Sequence, residues 1–386
     1  MTTGNPLIHF RGAFPSATFN ARRVAAALEA PGCHRRTLLD ASLVHLEKLG
    51  ALVTGDEKDR QSPFAITRGN QFEARVTDNG MATLLALARK HLGLSIPEAR
   101  QRDLSAASVR EEFPGLPPNR LNERRALLTR QLVEQMLSDP VAAINLLRHA
   151  MTTINFGGEV VYLEQDALAF AVNGRIHITE IKSFASIDGR ADPAKASATV
   201  RQTAVYVLSL QKLVERIGAS RDLVDTRVLV VLPENLSFKA TGVVVDTQMQ
   251  VRRLERQLAE VPRVVDVLEG IPPGTTLPAL DSSGSQDDRD AARTAATEVL
   301  SHLPARFGEG CVPCPLFKWC RGEAENQRSI ARLGNAVAGA CGDVTSINAA
   351  LDLASGLRQP ANPSEAAVAA MLARSAAATA NAVKEG

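Results

Sequence analysis

The sequence has few aromatic residues, no long apolar run and almost no excess charge. Phe, Trp and Tyr make up 4% of the 386 residues, with two tyrosines and one tryptophan. No stretch of about eighteen apolar residues is present, so the sequence predicts no membrane-spanning helix. The first residues, from Met1 to Pro6, lack the charged and apolar regions of a signal peptide. We therefore expect a cytoplasmic protein without a membrane partner.

The charge balance is close to neutral, with 44 basic and 42 acidic residues and a net charge of +2. The overall field therefore does not identify a nucleic-acid partner, and any contact with DNA requires local basic clusters. A Walker A motif is also absent, so an ATP-driven motor would have to be another chain. One run of arginines on a predicted helix is either a solvated face or a face that follows a nucleic-acid backbone: Arg120, Arg124, Arg125 and Arg130.

Cysteines are scarce, but three of the five lie within ten residues, at Cys311, Cys314 and Cys320. The cytosol keeps thiols reduced, which favours metal ligation over disulfides for clustered cysteines. Cys33 is the candidate fourth ligand, although 278 residues (311 − 33) separate it from Cys311. Taken alone, Cys33 would be a small buried thiol beside the solvated basic turn His34-Arg35-Arg36. Four thiolates suit zinc as well as an iron–sulfur cluster.

Hydrophobic periodicity predicts an α/β protein with a central mixed sheet flanked by helices. Residues 1–20 are expected to be extended, and residues 275–290 to form a linker. A tight turn is predicted at Asn173-Gly174, between two strands. Helices are predicted at 21–49 with a break at Pro31-Gly32, at 81–150 with a break at 113–118, and at 194–217. Strands are predicted at 159–170, 174–184, 227–232 and 241–245.

Two acids and a lysine stand at the ends of these strand-like segments. Asp166 is followed fourteen positions later (180 − 166) by Glu180-Ile181-Lys182. Because residues i and i+2 of a strand share a face, Glu180 and Lys182 project together while Ile181 turns into the core. Phosphodiester cleavage needs oxygen ligands for a hard cation and positive charge near the developing oxyanion. The carboxylates can bind the cation, Ile181 can add its carbonyl oxygen, and Lys182 can orient or activate the attacking water.

An Asp followed at some distance by Glu-x-Lys occurs by chance in many proteins. Two further spacings support a functional interpretation here. Gln202 and Tyr206 are four residues apart on a predicted helix and share one face, from which they can steady Lys182 or a phosphate. Gly69 precedes Glu73 by four residues, and a glycine there allows a close approach to the start of a helix.

In this order the motifs resemble those of the PD-(D/E)xK nuclease superfamily, in its RecB-like exonuclease branch. The resemblance rests on Gly69-x-x-x-Glu73, Asp166, Glu180-Ile181-Lys182 and Gln202-x-x-x-Tyr206. It implies a restriction-endonuclease-like core in which Glu73, Asp166 and Glu180 bind Mg²⁺ or Mn²⁺ and Lys182 is catalytic. Glu73 stands where many relatives carry histidine. The family's proline before the aspartate is absent, since Gln165 precedes Asp166.

The cysteine spacing resembles the iron–sulfur branch of the same nucleases, as in the CRISPR-associated adaptation exonucleases and AddAB-type nuclease subunits. The resemblance implies a structural 4Fe–4S cluster that joins the N-terminal and C-terminal segments, held by Cys33, Cys311, Cys314 and Cys320. Zinc is the alternative at this site. Cys341 is surplus, and we expect an ordinary buried thiol.

The combined expectation is a metal-dependent deoxyribonuclease that acts on single-stranded DNA or DNA ends, as an exonuclease more than as an endonuclease. One alternative is a DNA-binding subunit of a helicase–nuclease, phage-defence or CRISPR complex with little or no cleavage of its own. Another is an α/β protein whose thiols hold structural zinc.

Six segments are predicted along the chain. They are an N-terminal helical segment with the first cluster cysteine and first catalytic acid (1–80), a helical insertion (81–155), the nuclease core (156–270), a linker and helix (271–305), a cysteine segment (306–345) and an Ala-rich helical tail (346–386).

Overall fold

The protein, represented by a computed structural model, is described over residues 5–56, 63–96, 98–139, 144–165, 168–235, 237–280 and 284–385. The chain forms two compact units. The sheet unit comprises Thr18–Leu28 and Asp59–Arg263, and the cysteine unit comprises Met1–Ala17, Glu29–Lys58 and Val264–Gly386. Within the described ranges, no helix is long and apolar enough to cross a membrane.

The secondary structure is mixed, as the periodicity predicts. The helices are α1 Pro6–Arg11, α2 Ala21–Leu28, α3 His34–Ala41, α4 Leu46–Thr54, α5 Pro63–Thr77, α6 Ala82–Leu92, α7 Ala106–Glu112, α8 Leu121–Ser138, α9 Pro193–Arg216, α10 Gln248–Ala259, α11 Val264–Glu269, α12 Gln286–Ser301, α13 Phe317–Gln327, α14 Asn335–Cys341, α15 Ile347–Ser355 and α16 Pro363–Glu385. The strands are β1 Gln101–Asp103, β2 Leu146–Arg148, β3 Met151–Phe156, β4 Glu159–Glu164, β5 Leu168–Val172, β6 Arg175–Ile181, β7 Arg227–Pro233 and β8 Ala240–Asp246.

The sheet unit is built on a six-stranded mixed sheet in the order β1-β2-β5-β6-β7-β8. The pairs β1–β2 and β6–β7 are parallel, and the other three pairs are antiparallel. Asn173 and Gly174 both have positive φ, 51° and 71°, in the two-residue turn between β5 and β6. Such turns match the twist of the paired strands. The predicted α/β class, mixed sheet and tight turn are confirmed.

β7 lies in the interior of the sheet because it is apolar on both faces. Residues 228–232 are all buried, which is typical of a strand covered on both sides. Leu229 and Val231 belong to a core cluster that includes side chains of α5 and α6. Side chains alternate along a strand, so the other three residues face the opposite side and are buried there. This strand fixes the position of its parallel neighbour β6, which ends at the candidate site.

The strand predicted at 159–170 is two strands in two sheets. β4 pairs with β3 in a separate two-stranded sheet, whereas β5 belongs to the main sheet. Gln165, which lies after β4, is fully buried, and its side-chain Nε2 donates to Thr152 and Ser209. The alternating pattern continues across both strands, so it does not reveal that the chain changes sheets between them.

The prediction of helix throughout 81–150, and thus of a helical insertion over 81–155, is wrong in part. Helices α6, α7 and α8 occur there, but β1, β2 and β3 are strands. β1 and β2 have three residues each, too few for a period to be recognised. The prediction that residues 1–20 are extended is also wrong at α1, which Asn5 caps by accepting a hydrogen bond from the Leu7 backbone N–H.

The cysteine unit has its own apolar core, formed by side chains of α1, α3, α4, α11 and α12. Phe10 and Phe14 are buried in this core, and the segment with the three clustered cysteines packs against it through Leu316. A smaller apolar cluster joins α14, α15 and α16 and contains Cys341. Cys341 is therefore a buried thiol, as predicted.

Candidate functional site

The candidate site lies where β6 ends. Glu180 and Ile181 pair with Val230 and Val231 of β7, and the Lys182 N–H donates to the Val231 carbonyl at 2.9 Å. The parallel ladder thus continues one residue past β6 and holds the backbone of Lys182. Ile181 is partly buried and packs against the cluster beneath α5 and α6, which leaves Glu180 and Lys182 on the other face.

A chain of polar contacts connects the end of β6 with α9. The Lys182 Nζ lies 2.6 Å from Glu180 Oε1 and donates to Gln202 Oε1 at 2.9 Å. Gln202 Nε2 in turn donates to the Tyr206 hydroxyl at 2.9 Å. Glu180 is 1% exposed and Tyr206 is fully buried. The structure therefore brings together four of the residues that the sequence singled out: Glu180, Lys182, Gln202 and Tyr206.

Gly69 brings α5 close to the same strand end. A Cβ atom built on Gly69 would lie 3.3 Å from the Ser183 side chain, the residue directly after Lys182. Glu73 is one turn further along α5 on the same side, and its side chain is exposed. Within the described part of the chain, no hydrogen bond or ion pair joins the Glu73 carboxylate to Glu180 or Lys182. Asp166, the remaining predicted acid, lies outside the described residues.

A cleft of about 620 Å³ opens beside Lys182. Its walls come from the end of β6, from α9, and from single residues of α2 and α5. Four of its ten described lining residues are basic and none is acidic, although the whole chain has nearly equal numbers of each. The basic residues are Arg22, Arg68, Lys182 and Lys195. The cleft is therefore a local concentration of positive charge in a nearly neutral protein.

Glu180 and Glu73 have the carboxylate chemistry that Mg²⁺ and Mn²⁺ require. Among the described residues, no three His, Cys, Asp or Glu side chains are grouped closely enough to hold a metal ion. The three acids predicted as metal ligands include Asp166, which lies outside the described residues. A buried carboxylate at the end of an interior strand, beside an approachable helix, fits the position of one such ligand.

In the cysteine unit, Cys33 and the cysteine trio lie within electrostatic range of one another. Cys311 and Cys320 each interact with both Cys33 and Cys314. Three glycines permit this approach because a Cβ atom on any of them would crowd the facing segment. Gly32 faces Arg306, while Gly308 and Gly310 face Glu29 and Ala30. The chain therefore brings together thiols that are almost 300 residues apart in sequence.

Two buried arginines donate to these thiols. Arg35 NH1 lies 3.1 Å from Cys320 Sγ, and Arg36 NH1 lies 3.5 Å from Cys314 Sγ. Arg35 is also paired with Glu323 and stacks over the Trp319 ring, and Arg36 is paired with Asp40. The interpretation of a solvated basic turn beside Cys33 is wrong, because Arg35 and Arg36 are buried. Only His34 of that turn is exposed.

Burial favours the protonated form of two of the thiols, Cys311 and Cys320. It raises the pKa of Cys320 to about 12, against the opposing effect of the Arg35 charge. Burial also raises the pKa of Cys311, which the Gly308 N–H partly offsets. Metal binding would therefore have to displace these protons. Thiols with cationic N–H donors are of the type that a zinc ion or an iron–sulfur cluster takes as ligands. Within the described part of the chain, however, no three of these thiols are grouped closely enough to hold a metal ion.

The sequence analysis did not identify the basic residues that line the cleft. It treated Arg124 and Arg125 as part of a basic helix face, whereas the structure gives them other partners. Arg22 lies beside Arg23, Arg68 directly precedes Gly69, and Lys195 lies on the same helix as Gln202, but no spacing in the sequence groups the three cations together. In contrast, Arg125 is buried in a structural role, with Glu164 and the Leu104 carbonyl as partners. Arg124 stacks over the Phe113 ring.

The fold and site thus define a mixed α/β protein with a basic cleft at the end of an interior strand. The sequence profile of one protein family, described as CPV capsid shell protein VP1, small protrusion domain, matches residues 155–271. That segment is less than a third of the chain. A solved structure described as the crystal structure of SSO0001 has 17% sequence identity and a TM-score of 0.17, covering 53% of this chain and 98% of that chain. Comparison with curated proteins finds no match.

Proposed function

We propose that the protein is a Mg²⁺- or Mn²⁺-dependent deoxyribonuclease whose sheet unit has a PD-(D/E)xK-type core. The observation that carries this proposal is the linkage of Glu180, Lys182 and Gln202 at the edge of a basic cleft. A buried carboxylate, an ammonium held by two oxygen partners and surrounding positive charge are the groups that phosphodiester hydrolysis needs. The exonuclease preference and single-stranded or end-type substrates belong to the same proposal.

Each residue has a distinct task in this proposal. Glu180, with Glu73 and Asp166, would hold the divalent cation, which supplies Lewis-acid stabilisation of the charge that develops on the phosphate. Lys182 remains directed by Gln202 Oε1 and donates to a phosphate oxygen or to the attacking water. Tyr206 acts through Gln202, because its hydroxyl accepts from the Gln202 amide and fixes which way that amide points.

In the cysteine unit, we propose that Cys33, Cys311, Cys314 and Cys320 hold a 4Fe–4S cluster, with zinc as the alternative occupant. The N–H donors Arg35 and Arg36 would stabilise the thiolate forms that either occupant requires. The cluster would have a structural role, because it would fasten the start of α3 to α13 and to the segment that precedes α13.

The nuclease proposal is tested with end-labelled single-stranded DNA, incubated with the purified full chain and either Mn²⁺ or EDTA. We expect cleavage only with Mn²⁺, and a loss of about 100-fold or more in the Lys182→Ala variant, since it removes the positioned charge. Lys90→Ala, an exposed lysine on α6, is the matched control and should cleave normally. Equal cleavage by wild type and Lys182→Ala would refute the assignment.

A second function is favoured by one observation: no described residue that lines the cleft is acidic. Such a surface also serves to bind DNA without cutting it, as in a subunit of a helicase–nuclease, phage-defence or CRISPR complex. Tight binding of DNA together with no cleavage in Mn²⁺ would support this function over the nuclease.

A further inference from the structure

Gln165 is buried at a position that the proposed chemistry does not use. It lies between the end of β4 and Asp166, the acid proposed as a ligand of the divalent cation. The residue is 0% exposed, although glutamine is found mostly at protein surfaces. Its backbone N–H donates to the Ala150 carbonyl at 2.8 Å, which extends the ladder between β3 and β4 by one residue. The backbone immediately before Asp166 is therefore held by this sheet.

The side chain of Gln165 links the same sheet to α9. Its Nε2 atom donates to the Thr152 hydroxyl on β3 at 3.4 Å and to the Ser209 hydroxyl on α9 at 3.3 Å. Thr152 also donates to Ser209 at 3.0 Å, and Ser209 donates to the Tyr206 carbonyl at 3.0 Å. Thr152 and Ser209 are themselves buried. A set of buried polar groups therefore connects Gln165 to the turn of α9 that contains Tyr206.

The oxygen of this amide has no such partner. Gln165 Oε1 is buried and accepts no hydrogen bond from the described part of the chain. The opposite amide orientation is no better, because the Thr152 and Ser209 hydroxyl protons already have acceptors. An unpaired buried carbonyl oxygen destabilises the folded state, and an apolar side chain of similar shape would avoid that cost. Packing alone therefore does not account for glutamine at position 165.

We propose that Gln165 is a positioning residue for Asp166 and acts through the peptide bond that joins them. Its amide fixes the backbone before Asp166 relative to α9, the helix whose Gln202 directs Lys182. A proline at this position, as in the motif that the sequence resembles, restricts the backbone through its ring. Here buried hydrogen bonds impose the restriction instead. The inference rests on the proposed function, because it assigns Asp166 to the cation site.

The test measures Mn²⁺ affinity instead of cleavage, from the electron paramagnetic resonance signal of the free ion in the presence of the full chain. Glu180→Gln identifies the binding that belongs to this site, because it removes a proposed ligand. Gln165→Met keeps the length of the side chain and removes the amide. We expect Gln165→Met to bind Mn²⁺ about 10- to 100-fold more weakly, the usual effect of removing a group that orients a metal ligand.

Two controls separate positioning from a general loss of stability, with every variant measured below the onset of its thermal unfolding. Val109→Ala removes buried methyl groups in a separate apolar cluster of the sheet unit, so it should lower the melting temperature and leave Mn²⁺ affinity unchanged. Ser209→Ala removes one acceptor of the Gln165 amide and should weaken Mn²⁺ binding less than Gln165→Met does. Added to Gln165→Met, it should have no further effect, because it acts through Gln165.

Two results would overturn the proposal: a Gln165→Met variant with wild-type Mn²⁺ affinity, whatever its melting temperature, or an undiminished effect of Ser209→Ala in the Gln165→Met background. Failure of the proposed function gives a different result. Mn²⁺ binding that does not depend on Glu180 removes the cation site, and this inference with it. Mn²⁺ binding that requires both Glu180 and Gln165, without cleavage of DNA, keeps this inference and removes the nuclease.

Discussion

His177 on β6 shows how one buried residue couples the sheet unit to pH. Burial lowers the pKa of His177 below its ordinary value of 6.5, and the charges of Arg175 and Arg227 lower it further. Asp225 opposes this shift from 3.2 Å, but its own charge is engaged by Arg227. His177 is thus neutral in the folded protein at pH values where an exposed histidine is protonated.

This arrangement predicts a loss of stability in mild acid. As the pH falls through 6.5, the unfolded chain binds a proton at residue 177 before the folded chain does, so the stability contributed above that pH is progressively lost. We expect the free energy of unfolding of wild type to fall between about pH 7.5 and about pH 5.5, and that of His177→Gln to fall less. Urea unfolding at both values measures this.

The pH dependence of His177→Gln is compared with that of His91→Gln, which removes another histidine whose pKa is lowered by burial. The carboxylates with a lowered pKa, Asp103, Asp225, Glu255 and Glu365, titrate at lower pH and do not contribute in this window. If wild type and His177→Gln lost the same free energy between the two pH values, the role given to His177 would be wrong.

Arg35 shows a different principle at the residue scale. Its guanidinium contacts Cys320, Glu323, the Leu300 carbonyl and the Trp319 ring. A buried charge is tolerated only when its donors and its charge are satisfied, and here the partners come from two other elements of the cysteine unit, α12 and α13. In sequence the residue is one of many arginines, and nothing nearby distinguishes it.

At the scale of elements, α4 is fitted closely to the cysteine segment. A Cβ atom on Gly50 would lie 2.5 Å from the Pro315 carbonyl oxygen, next to Cys314. Since the obstacle is backbone, neither partner can move without shifting the segment. Helix α4 and the loop therefore depend on glycine at position 50 for packing, and not for an unusual backbone conformation.

We predict that Gly50→Ala lowers the stability of the cysteine unit by about 1–3 kcal/mol, the usual result of overpacking. Gly322→Ala is the matched control, because a Cβ atom there meets nothing within 4 Å and Gly322 lies inside α13. It should stabilise the unit by about 0.5–1 kcal/mol, since alanine favours a helix over glycine. Thermal melting of the two variants should shift in opposite directions, and a shift in the same direction would contradict the packing argument.

At the scale of the whole molecule, the cysteine unit is assembled from discontinuous parts of the chain, 1–17, 29–58 and 264–386. The sheet unit is formed largely by the residues between them. Cys33 and the trio from Cys311 to Cys320 belong to the same unit despite their separation in sequence. A ligand that binds all four would close a long loop, and its binding free energy would add to the stability of the folded state.

This leads to a prediction about metal content. Cys33→Ser should lower the affinity for bound iron or zinc by about 100-fold or more, because a thiolate ligand contributes at least as much as a neighbouring supporting group. Anaerobic purification followed by metal analysis and a visible spectrum gives the measurement. Cys341→Ala is the control, since Cys341 is buried in a separate apolar cluster and should not change the metal content. Equal metal in both variants would exclude Cys33 as a ligand.

Local features of the fold could be predicted from the sequence because short-range chemistry determines them. The period of apolar residues gives α9, and the apolar run gives β7. The Asn173-Gly174 pair gives its turn, because both residues tolerate positive φ. The spacing of Glu180 with Lys182 and of Gln202 with Tyr206 places each pair on one face, since the strand repeats every two residues and the helix every 3.6.

Tertiary structure alone decided how these parts combine. The separation of β4 from β5 depends on strand pairing between distant residues, which the alternating pattern does not encode. The same holds for the basic cleft, whose cations come from three helices and from the end of β6. It also holds for the burial of Arg35 and Arg36, which follows from their distant partners Glu323 and Cys314. The sequence determined which residues could form a site, whereas long-range packing decided which of them meet, because burial and charge pairing depend on neighbours that are remote in the chain.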